Sequence, residues 1–204
     1  MEKFVTLEAV AAPMMRVNVN TDVIIPIDRL VFLDRKELGP YALEPLRYLA
    51  PGQENPEFIL NRPGYRNARI LIAGANFGCG SSREGAVWAL ERFGIRCLIA
   101  PSYGDIFFNN CFKNGVLPIV LPSETVDQLA AEAEAANGGR PFRIDLEAER
   151  IRTPGGREIA FATDPANREA LLQGLDEITM TLRRDAEIAA FEAENRAARP
   201  WIYV

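Results

Sequence analysis

One stretch of the sequence decides the fold: Arg69-Ile70-Leu71-Ile72-Ala73-Gly74-Ala75-Asn76-Phe77-Gly78-Cys79-Gly80-Ser81-Ser82-Arg83-Glu84. Its opening residues form an apolar run that is typical of a buried strand. The residues that follow, from 86 to 93, carry apolar side chains at helical spacing. The glycine-rich piece between them is therefore predicted to be a strand-to-helix turn. Unpartnered backbone N–H groups and the positive end of the helix dipole meet at such a turn, so it suits carboxylates and phosphates.

Three familiar glycine-rich motifs do not fit this turn. The dinucleotide-binding pattern G-x-G-x-x-G begins at Gly78 and Gly80, but Arg83 stands where the third glycine belongs. A P-loop needs a Gly-Lys pair followed by Ser or Thr, and this turn contains no lysine. The nucleophile elbow G-x-S-x-G needs glycine on both sides of a serine, and that spacing is absent. The turn therefore belongs to none of these three classes of site.

The segments around the turn predict a mixed α/β fold. The strands of this unit are predicted at residues 69–73, 96–100 and 116–121, and its helices at 84–93, 102–113 and 123–137. Alternating strands and helices imply a parallel sheet. The pair Ser102 and Asp105 predicts a capping box for the second helix, and Ser123 predicts the cap of the third.

The rest of the chain is predicted to complete a single domain, 1–204. Two strands are predicted within residues 4–33, with Val23-Ile24-Ile25 as the apolar centre of the second. Residues 34–68 are rich in Pro, Gly and Asn, so they are predicted to form an irregular excursion with one short helix near 43–49. The C-terminal third predicts a hairpin of 142–146 with 158–161, a helix at 165–173, and a C-terminal helix and tail within 185–204.

The glycine-rich turn resembles the signature of a known superfamily. Its residues Gly78-Cys79-Gly80-Ser81-Ser82-Arg83-Glu84 are similar to the signature of the aconitase-superfamily swivel domain. The wider match is to the small subunit of 3-isopropylmalate dehydratase of the bacterial type. Other segments agree with that family in the same order along the chain: 20–26, 100–110, 114–118, and the tail from 174 to 192. Because several ordered segments match, the resemblance covers nearly the whole chain.

This resemblance implies a fold, a reaction and a partner. The fold is α/β, a swivelling β/β/α domain with a mixed sheet and flanking helices. The reaction interconverts 2- and 3-isopropylmalate by dehydration and rehydration in leucine biosynthesis, through an unsaturated diacid. A separate large subunit would carry a [4Fe-4S] cluster that acts as a Lewis acid. This chain would bind no metal or cofactor of its own and would be active only with that subunit.

The resemblance also implies roles for individual residues. Ser81, as an alkoxide, would remove the C–H proton next to a substrate carboxylate. Serine is a weak base, so its anion would need the helix dipole and nearby backbone N–H groups for stabilisation. The candidate substrate-binding residues are Gly80, Ser82, Arg83, Asn20, Thr21 and Asp22. Arg83 suits a substrate carboxylate because its planar fork can donate to two oxygens.

Each of these candidates also has a purely structural interpretation. Ser81 and Glu84 have the spacing of a capping box, and Ser82 could be the cap instead. Arg83 could be a surface arginine that pairs with a nearby glutamate. The run Asn20-Thr21-Asp22 could simply form a turn before a strand. The family resemblance favours the catalytic interpretation of Ser81 and leaves both interpretations of the run 20–22 open.

Two positions depart from the pattern of the family. Gly85 stands where the family usually has histidine, and Asn20 stands where it usually has aspartate. Both lie near the predicted site, so they bear on the identity of the substrate more than on the fold. A related small subunit for another hydroxy-diacid, such as methylmalate, citraconate or homocitrate, therefore stays open. A non-catalytic swivel domain that serves as a binding protein is the third possibility.

Composition narrows the class of protein further. The net charge is −5 and no basic patch stands out, which argues against a nucleic-acid partner. Residues 1–12 lack the pattern of a signal peptide, and no apolar run has the length of a membrane span, so a cytoplasmic protein without a membrane partner is expected.

Histidine and cysteine usage limits the chemistry of the site. The chain has no histidine, which excludes a Ser-His-Asp triad and a histidine-ligated zinc site within it. Cys79, Cys97 and Cys111 show no C-x-x-C spacing. Cys97 and Cys111 are predicted to be buried in a strand and a helix, whereas Cys79 belongs to the glycine-rich turn.

Overall fold

Strands and helices alternate along the middle of the chain. The structure, a computed structural model, describes residues 1–203. The strands are β1 Thr6–Ala9, β2 Ala11–Met14, β3 Tyr48–Ala50, β4 Gln53–Glu54, β5 Ile70–Ala73, β6 Cys97–Ala100, β7 Leu117–Val120, β8 Phe142–Asp145, β9 Arg150–Arg152 and β10 Glu158–Ala160. The α-helices are α1 Thr21–Ile24, α2 Ile27–Phe32, α3 Glu44–Arg47, α4 Glu84–Phe93, α5 Asp105–Lys113, α6 Ser123–Ala136, α7 Pro165–Gln173, α8 Glu177–Leu182 and α9 Asp185–Ala198. Within residues 1–203, no helix combines the length and the hydropathy needed to cross a membrane.

Two four-stranded sheets carry the fold. One is parallel throughout and has the strand order β2-β5-β6-β7. The other is antiparallel and has the order β1-β8-β9-β10. Together with the flanking helices they make the mixed α/β fold that the sequence predicted. The parallel pairing inferred from the alternation of strands and helices is confirmed.

The parallel sheet separates two apolar cores. Strand β5 is buried along its whole length, as is typical of strands in parallel sheets. Leu71 and Ala73 face the core that contains α4, whereas Ile70 and Ile72 face the core that contains α6 and the antiparallel sheet. Consecutive side chains of a strand point to opposite faces, so the continuous apolar run serves both cores.

The excursion at residues 34–68 is organised by one buried arginine. Arg47 of α3 donates from Nη1 to the carbonyl of Pro40 at 2.9 Å and to that of Ala42 at 3.3 Å. Its guanidinium also lies 4.6 Å from the ring centroid of Phe93 in α4. Burial lowers the pKa of the Arg47 guanidinium. The excursion contains four 3₁₀ helices and the β3–β4 hairpin, and the helix predicted near 43–49 is present as the shorter α3.

Four local predictions are wrong, and each has a physical reason. Val23-Ile24-Ile25 is not the centre of a strand, because Asn20 caps a helical turn there and starts α1. The residue before α5 is Gly104, so Ser102 does not cap that helix. Pro122 precedes α6 without a side-chain cap, so Ser123 lies inside the helix.

The fourth correction concerns the predicted hairpin near the C-terminus. Strand β9 was missed because it offers a single apolar residue, Ile151, between two arginines. It lies between β8 and β10, so the turn at residues 153–156 joins β9 to β10. The helices at 165–173 and from 185 are confirmed as α7 and α9, and Asp164 caps α7. Residue 204 of the predicted tail lies outside the described residues.

Candidate active site

The glycine-rich turn follows β5 and pairs with the loop that follows the neighbouring strand β2. The amide of Gly78 donates to the carbonyl of Val19 at 2.7 Å. In return, the amide of Thr21 donates to the carbonyl of Cys79 at 2.9 Å. Asn20 and Cys79 form a parallel bridge. The pairing of β2 with β5 therefore continues past the ends of both strands.

On its other side, the turn pairs with the loop that follows β6. The amide of Phe77 donates to the carbonyl of Ser102 at 3.1 Å, and the amide of Gly104 donates to the carbonyl of Phe77 at 2.9 Å. The Ser102 hydroxyl, which was predicted to cap a helix, instead accepts from the amide of Asn76 at 2.9 Å. Three loops thus lie side by side in the order of their strands, with the glycine-rich turn in the middle.

Two glycines give the turn its shape. Gly78 has φ +71°, and a Cβ there would lie 2.1 Å from the ring of Phe107. Gly80 has φ +88°. Such dihedrals are adopted easily by glycine alone. The glycines therefore let the backbone pass over Phe107 and turn sharply into α4.

Ser81 and Ser82 lie exposed just before α4 and do not cap it. Arg83 occupies the N-cap position, and its side chain makes no capping hydrogen bond. The Glu84 carboxylate accepts instead from Nδ2 of Asn114 at 2.8 Å, so the capping box offered as the structural alternative for Ser81 and Glu84 is absent. The Ser81 side chain is thereby left at the positive end of the helix dipole.

Arg83 is paired, but not with the glutamates that its sequence neighbourhood suggested. Its Nη1 donates to Oδ1 of Asp22, in an ion pair between residues 61 positions apart. The side chain of Arg83 is 21% exposed and that of Asp22 is 51% exposed. Glu91 pairs with other arginines. The contact brings two of the predicted substrate-binding residues together at the start of α4.

The remaining candidates lie in the same place but differ in what their side chains can reach. Thr21 is 1% exposed, and its hydroxyl donates to the carbonyl of Ser81 at 3.0 Å. The side chain of Asn20 accepts from the amide of Val23 at 2.9 Å and so caps α1. Gly80 is exposed between Cys79 and Ser81. All seven predicted site residues are therefore brought together by the pairing of the loops after β2 and β5.

Two nearby contacts were not foreseen from the sequence. A Cβ at Gly85 would lie 2.4 Å from Cδ2 of Leu30, so glycine lets α2 rest on the first turn of α4. Asn114 is 6% exposed and links that turn to Trp88, whose Nε1 donates to the Asn114 Oδ1 at 3.0 Å. The departure at residue 85 was the one sequence signal for the first contact. No sequence signal pointed to the second contact, because Asn114 only follows the end of the helix predicted at 102–113.

The cysteines do not form a metal site within the described residues. No group of three or more His, Cys, Asp or Glu side chains is arranged there to hold a metal ion. Cys97 and Cys111 are fully buried in the positions that were predicted, whereas Cys79 is partly exposed. Burial raises the pKa of the Cys97 thiol and that of the Cys111 thiol, which opposes the thiolate form that iron needs. The donor set of this chain does not fit an iron–sulfur cluster.

Comparison with known proteins gives a consistent result along the chain. Residues 1–124 match the family model described as the aconitase C-terminal domain. Residues 127–165 match a model described as LeuD_N, and residues 177–203 match the C-terminal domain of the 3-isopropylmalate dehydratase small subunit. A solved 3-isopropylmalate dehydratase structure from Methanocaldococcus jannaschii has the same fold, with a TM-score of 0.64 and 24% identity over 91% of this chain and 98% of that one.

Curated relatives are similar over their full length. The 3-isopropylmalate dehydratase small subunit of Paramagnetospirillum magneticum is 52% identical over 202 residues, covering 99% of this chain and 100% of the relative. That of Rhodospirillum centenum is 54% identical over 202 residues, covering 98% of each. Such identity over whole chains extends the match from the glycine-rich turn to both sheets and the C-terminal helices. The chain belongs to the family of 3-isopropylmalate dehydratase small subunits.

Proposed function

We propose that this chain is the small subunit of a heteromeric hydro-lyase that interconverts 2- and 3-isopropylmalate in leucine biosynthesis. The observation that carries the proposal is the placement of Ser81. Its side chain is exposed at the N-terminus of α4, caps nothing, and lies two residues from Arg83. The names of the full-length relatives support the choice of substrate.

In the proposed reaction, Ser81 acts as the base. The Ser81 alkoxide takes the proton from the carbon next to a carboxylate, and the C–O bond at the neighbouring carbon breaks. The leaving hydroxide accepts a second proton from solvent, so the products are the unsaturated diacid, water and a protonated Ser81. Rehydration reverses these steps and returns the proton from Ser81. The positive end of the helix dipole favours the alkoxide, and a backbone N–H that donated to the Ser81 oxygen would stabilise it further.

Arg83, Ser82 and Gly80 are proposed to hold the substrate. The guanidinium of Arg83 offers donors in the fork geometry that matches a carboxylate. Gly80 has no side chain, so a substrate can approach its backbone closely. The exposed Ser82 hydroxyl can donate to a second oxygen. Together these groups can orient a diacid with its C–H bond towards Ser81.

The active site is proposed to be completed by a large subunit. The small-subunit name of the relatives implies such a heteromeric partner. We propose that the partner holds the [4Fe-4S] cluster that the family resemblance implies, because the thiols of this chain do not fit one. When bound, that cluster supplies Lewis acidity to the leaving hydroxyl.

Anaerobic co-purification with candidate large subunits tests the proposal. We expect turnover of 2- and 3-isopropylmalate by the assembled enzyme, and neither iron nor turnover in the isolated chain. Rates with methylmalate, citraconate and homocitrate decide whether another hydroxy-diacid is the better substrate. A fully assembled complex without turnover would favour the third possibility, a non-catalytic swivel domain that serves as a binding protein. A stoichiometric cluster in the isolated chain, ligated by its cysteines, would overturn the divided site.

A further inference from the structure

We propose that the turn Asn20-Thr21-Asp22 is a template that positions the glycine-rich turn at residues 78–83, here called the catalytic loop, and that residues 20–22 do not contact the substrate. Thr21 sets the place of Ser81, and Asp22 sets the direction of Arg83. The inference rests on the proposed roles of Ser81 and Arg83 and assigns two positioning residues to that site.

Thr21 holds the loop on both sides of Gly80. Its amide donates to the carbonyl of Cys79 at 2.9 Å, and its hydroxyl donates to the carbonyl of Ser81 at 3.0 Å. Gly80 lies between these two hydrogen bonds and has φ +88°. Without them, this glycine would be the most flexible residue of the turn. A fixed Ser81 carbonyl holds the peptide group that is bonded to the Ser81 Cα atom. The Ser81 side chain, which projects from that Cα atom, is held in turn.

The burial of Thr21 decides between positioning and substrate contact. Thr21 is 1% exposed, and its one hydroxyl hydrogen is already donated to Ser81. A hydroxyl with its hydrogen in use cannot donate to a substrate carboxylate, and its burial keeps its acceptor lone pairs away from a substrate. Its remaining effect is on the backbone of the loop.

Asp22 binds only one nitrogen of the Arg83 guanidinium. The contact joins Oδ1 of Asp22 to Nη1 of Arg83. A guanidinium has five N–H donors, so the Nε and Nη2 edge can still receive a carboxylate in the two-pronged manner. Asp22 therefore orients the fork without occupying the edge that a diacid would use.

The template itself is anchored in the core. The Asn20 side chain caps α1, and Ile24 and Ile25, which follow the turn, are fully buried. The carbonyl of Ile24 also accepts from the amide of Leu43 at 2.7 Å, which ties α1 to the excursion at 34–68. A turn anchored in this way can impose its geometry on the more exposed catalytic loop.

The two positioning roles predict opposite kinetic signatures in the assembled two-subunit enzyme. Thr21→Val keeps the shape and removes the hydroxyl, so we expect kcat to fall by roughly tenfold or more with KM within about twofold. Thr21→Ser should restore kcat, because it restores the donor. Asp22→Asn should raise KM by roughly tenfold with little change in kcat, and Asp22→Glu should recover part of the loss.

Matched controls separate positioning from general damage. Thr181→Val removes another threonine hydroxyl that donates to a backbone carbonyl, that of Glu177 at 2.9 Å, far along the chain. Asp127→Asn removes an exposed carboxylate of α6. Neither control should alter kcat or KM. Asp22 is exposed, so its variants keep the proposal falsifiable even if Thr21→Val does not fold.

The outcome of Ser81→Ala in the same enzyme separates failure of this inference from failure of the proposed function. If Ser81→Ala keeps its kcat, the proposed base is wrong. If Ser81→Ala loses activity while Thr21→Val keeps normal kcat and KM, the template is overturned. A Thr21→Val enzyme with raised KM alone would make Thr21 a substrate contact, and a lowered KM in Asp22→Asn would make Asp22 a competitor of the substrate. Either result contradicts the inference.

Discussion

Ser81 is exposed next to a helix that does not use its hydroxyl as a cap, so its proposed catalytic role can be tested separately from any effect on stability. We predict that Ser81→Ala lowers kcat of the assembled enzyme by roughly two orders of magnitude or more, the usual range for a positioned proton-transfer group. The melting temperature of the chain should stay unchanged, because Arg83, not Ser81, occupies the N-cap. Steady-state kinetics and a thermal melt measure the two quantities.

Ser123→Ala provides the matched control for that variant. Ser123 is also an exposed serine at a helix start whose N-cap makes no side-chain bond, and it lies in α6. It should change neither kcat nor the melting temperature. Normal kcat in Ser81→Ala would require another acceptor for the proton.

The sequence could predict where the candidate residues lie relative to a helix, but not how they are held. Ser81 and Arg83 adjoin a predicted helix start, so their place at its N-terminus followed from periodicity. The Asp22–Arg83 pair joins positions 61 residues apart, and local patterns contain no information about such a contact. The bond from Thr21 to Ser81 spans 60 residues and was equally hidden. Their proposed roles stay predictions until the variants are measured.

At the scale of elements, the site depends on close backbone contact between the loops after β5 and β6. A Cβ at Gly104 would lie 2.6 Å from the carbonyl oxygen of Gly78, which is backbone and cannot move aside alone. We therefore predict that Gly104→Ala displaces the glycine-rich turn and lowers kcat of the assembled enzyme by roughly a hundredfold, since misplacement of a catalytic group by about 1 Å has effects of that size.

A glycine outside the site shows what the same substitution does without the clash. Gly155 has no positive φ, and a Cβ there would meet only side-chain atoms, the nearest at 3.4 Å. Gly155→Ala should keep normal kcat and slightly raise the free energy of unfolding, because alanine restricts the unfolded chain. Equal kinetics for both variants would mean that the loop tolerates the displacement.

Elements that contain several apolar residues at a regular spacing were predicted correctly, whereas elements with few residues were not. Strand β5 and helix α4 each present several apolar residues in one period, so the pattern was unambiguous. Three apolar residues at 23–25 are compatible with both a strand and a helical turn. They form a helical turn because Asn20 caps α1. Helix α8 went unpredicted because its six residues are too few to show a helical period.

At the scale of the whole molecule, two thiols lie in the apolar interior and link stability to pH. Burial raises the pKa of the Cys97 and Cys111 thiols above the unfolded value of about 8.5. The folded state then keeps protons that the unfolded state releases. Their contribution to stability is complete below about pH 8.5 and is lost as pH rises further.

We predict that the free energy of unfolding falls by about 1.4 kcal/mol per thiol between pH 7.5 and pH 9.5. Urea unfolding at both pH values measures the change. The Cys97→Ala/Cys111→Ala double variant is less stable at both, because it leaves cavities. Its pH dependence should nevertheless be weaker by the contribution of the two thiols. An identical pH dependence in both proteins would refute the linkage.

The C-terminal helix adds little to either core. Helix α9 has no buried residue, whereas Leu171 of α7 is fully buried. We predict that a chain ending at Arg184 still unfolds in one cooperative transition, with a melting temperature lowered by less than about 3 °C. A chain ending at Asp164 also loses Leu171 and should not fold stably. A large loss of stability in the first truncation would make residues 185–204 an integral part of the domain.

The side-by-side arrangement of the three loops has a consequence for the exchange of backbone amide hydrogens with solvent. Loop amides usually exchange quickly, because local opening exposes them at little cost. Here the amides of Thr21, Phe77, Gly78 and Gly104 are donated between loops, as in a sheet. In deuterated water they should exchange as slowly as the amides of strand β5, although they lie outside regular strands. The glycine-rich turn would then be rigid in the small subunit before any partner or substrate binds.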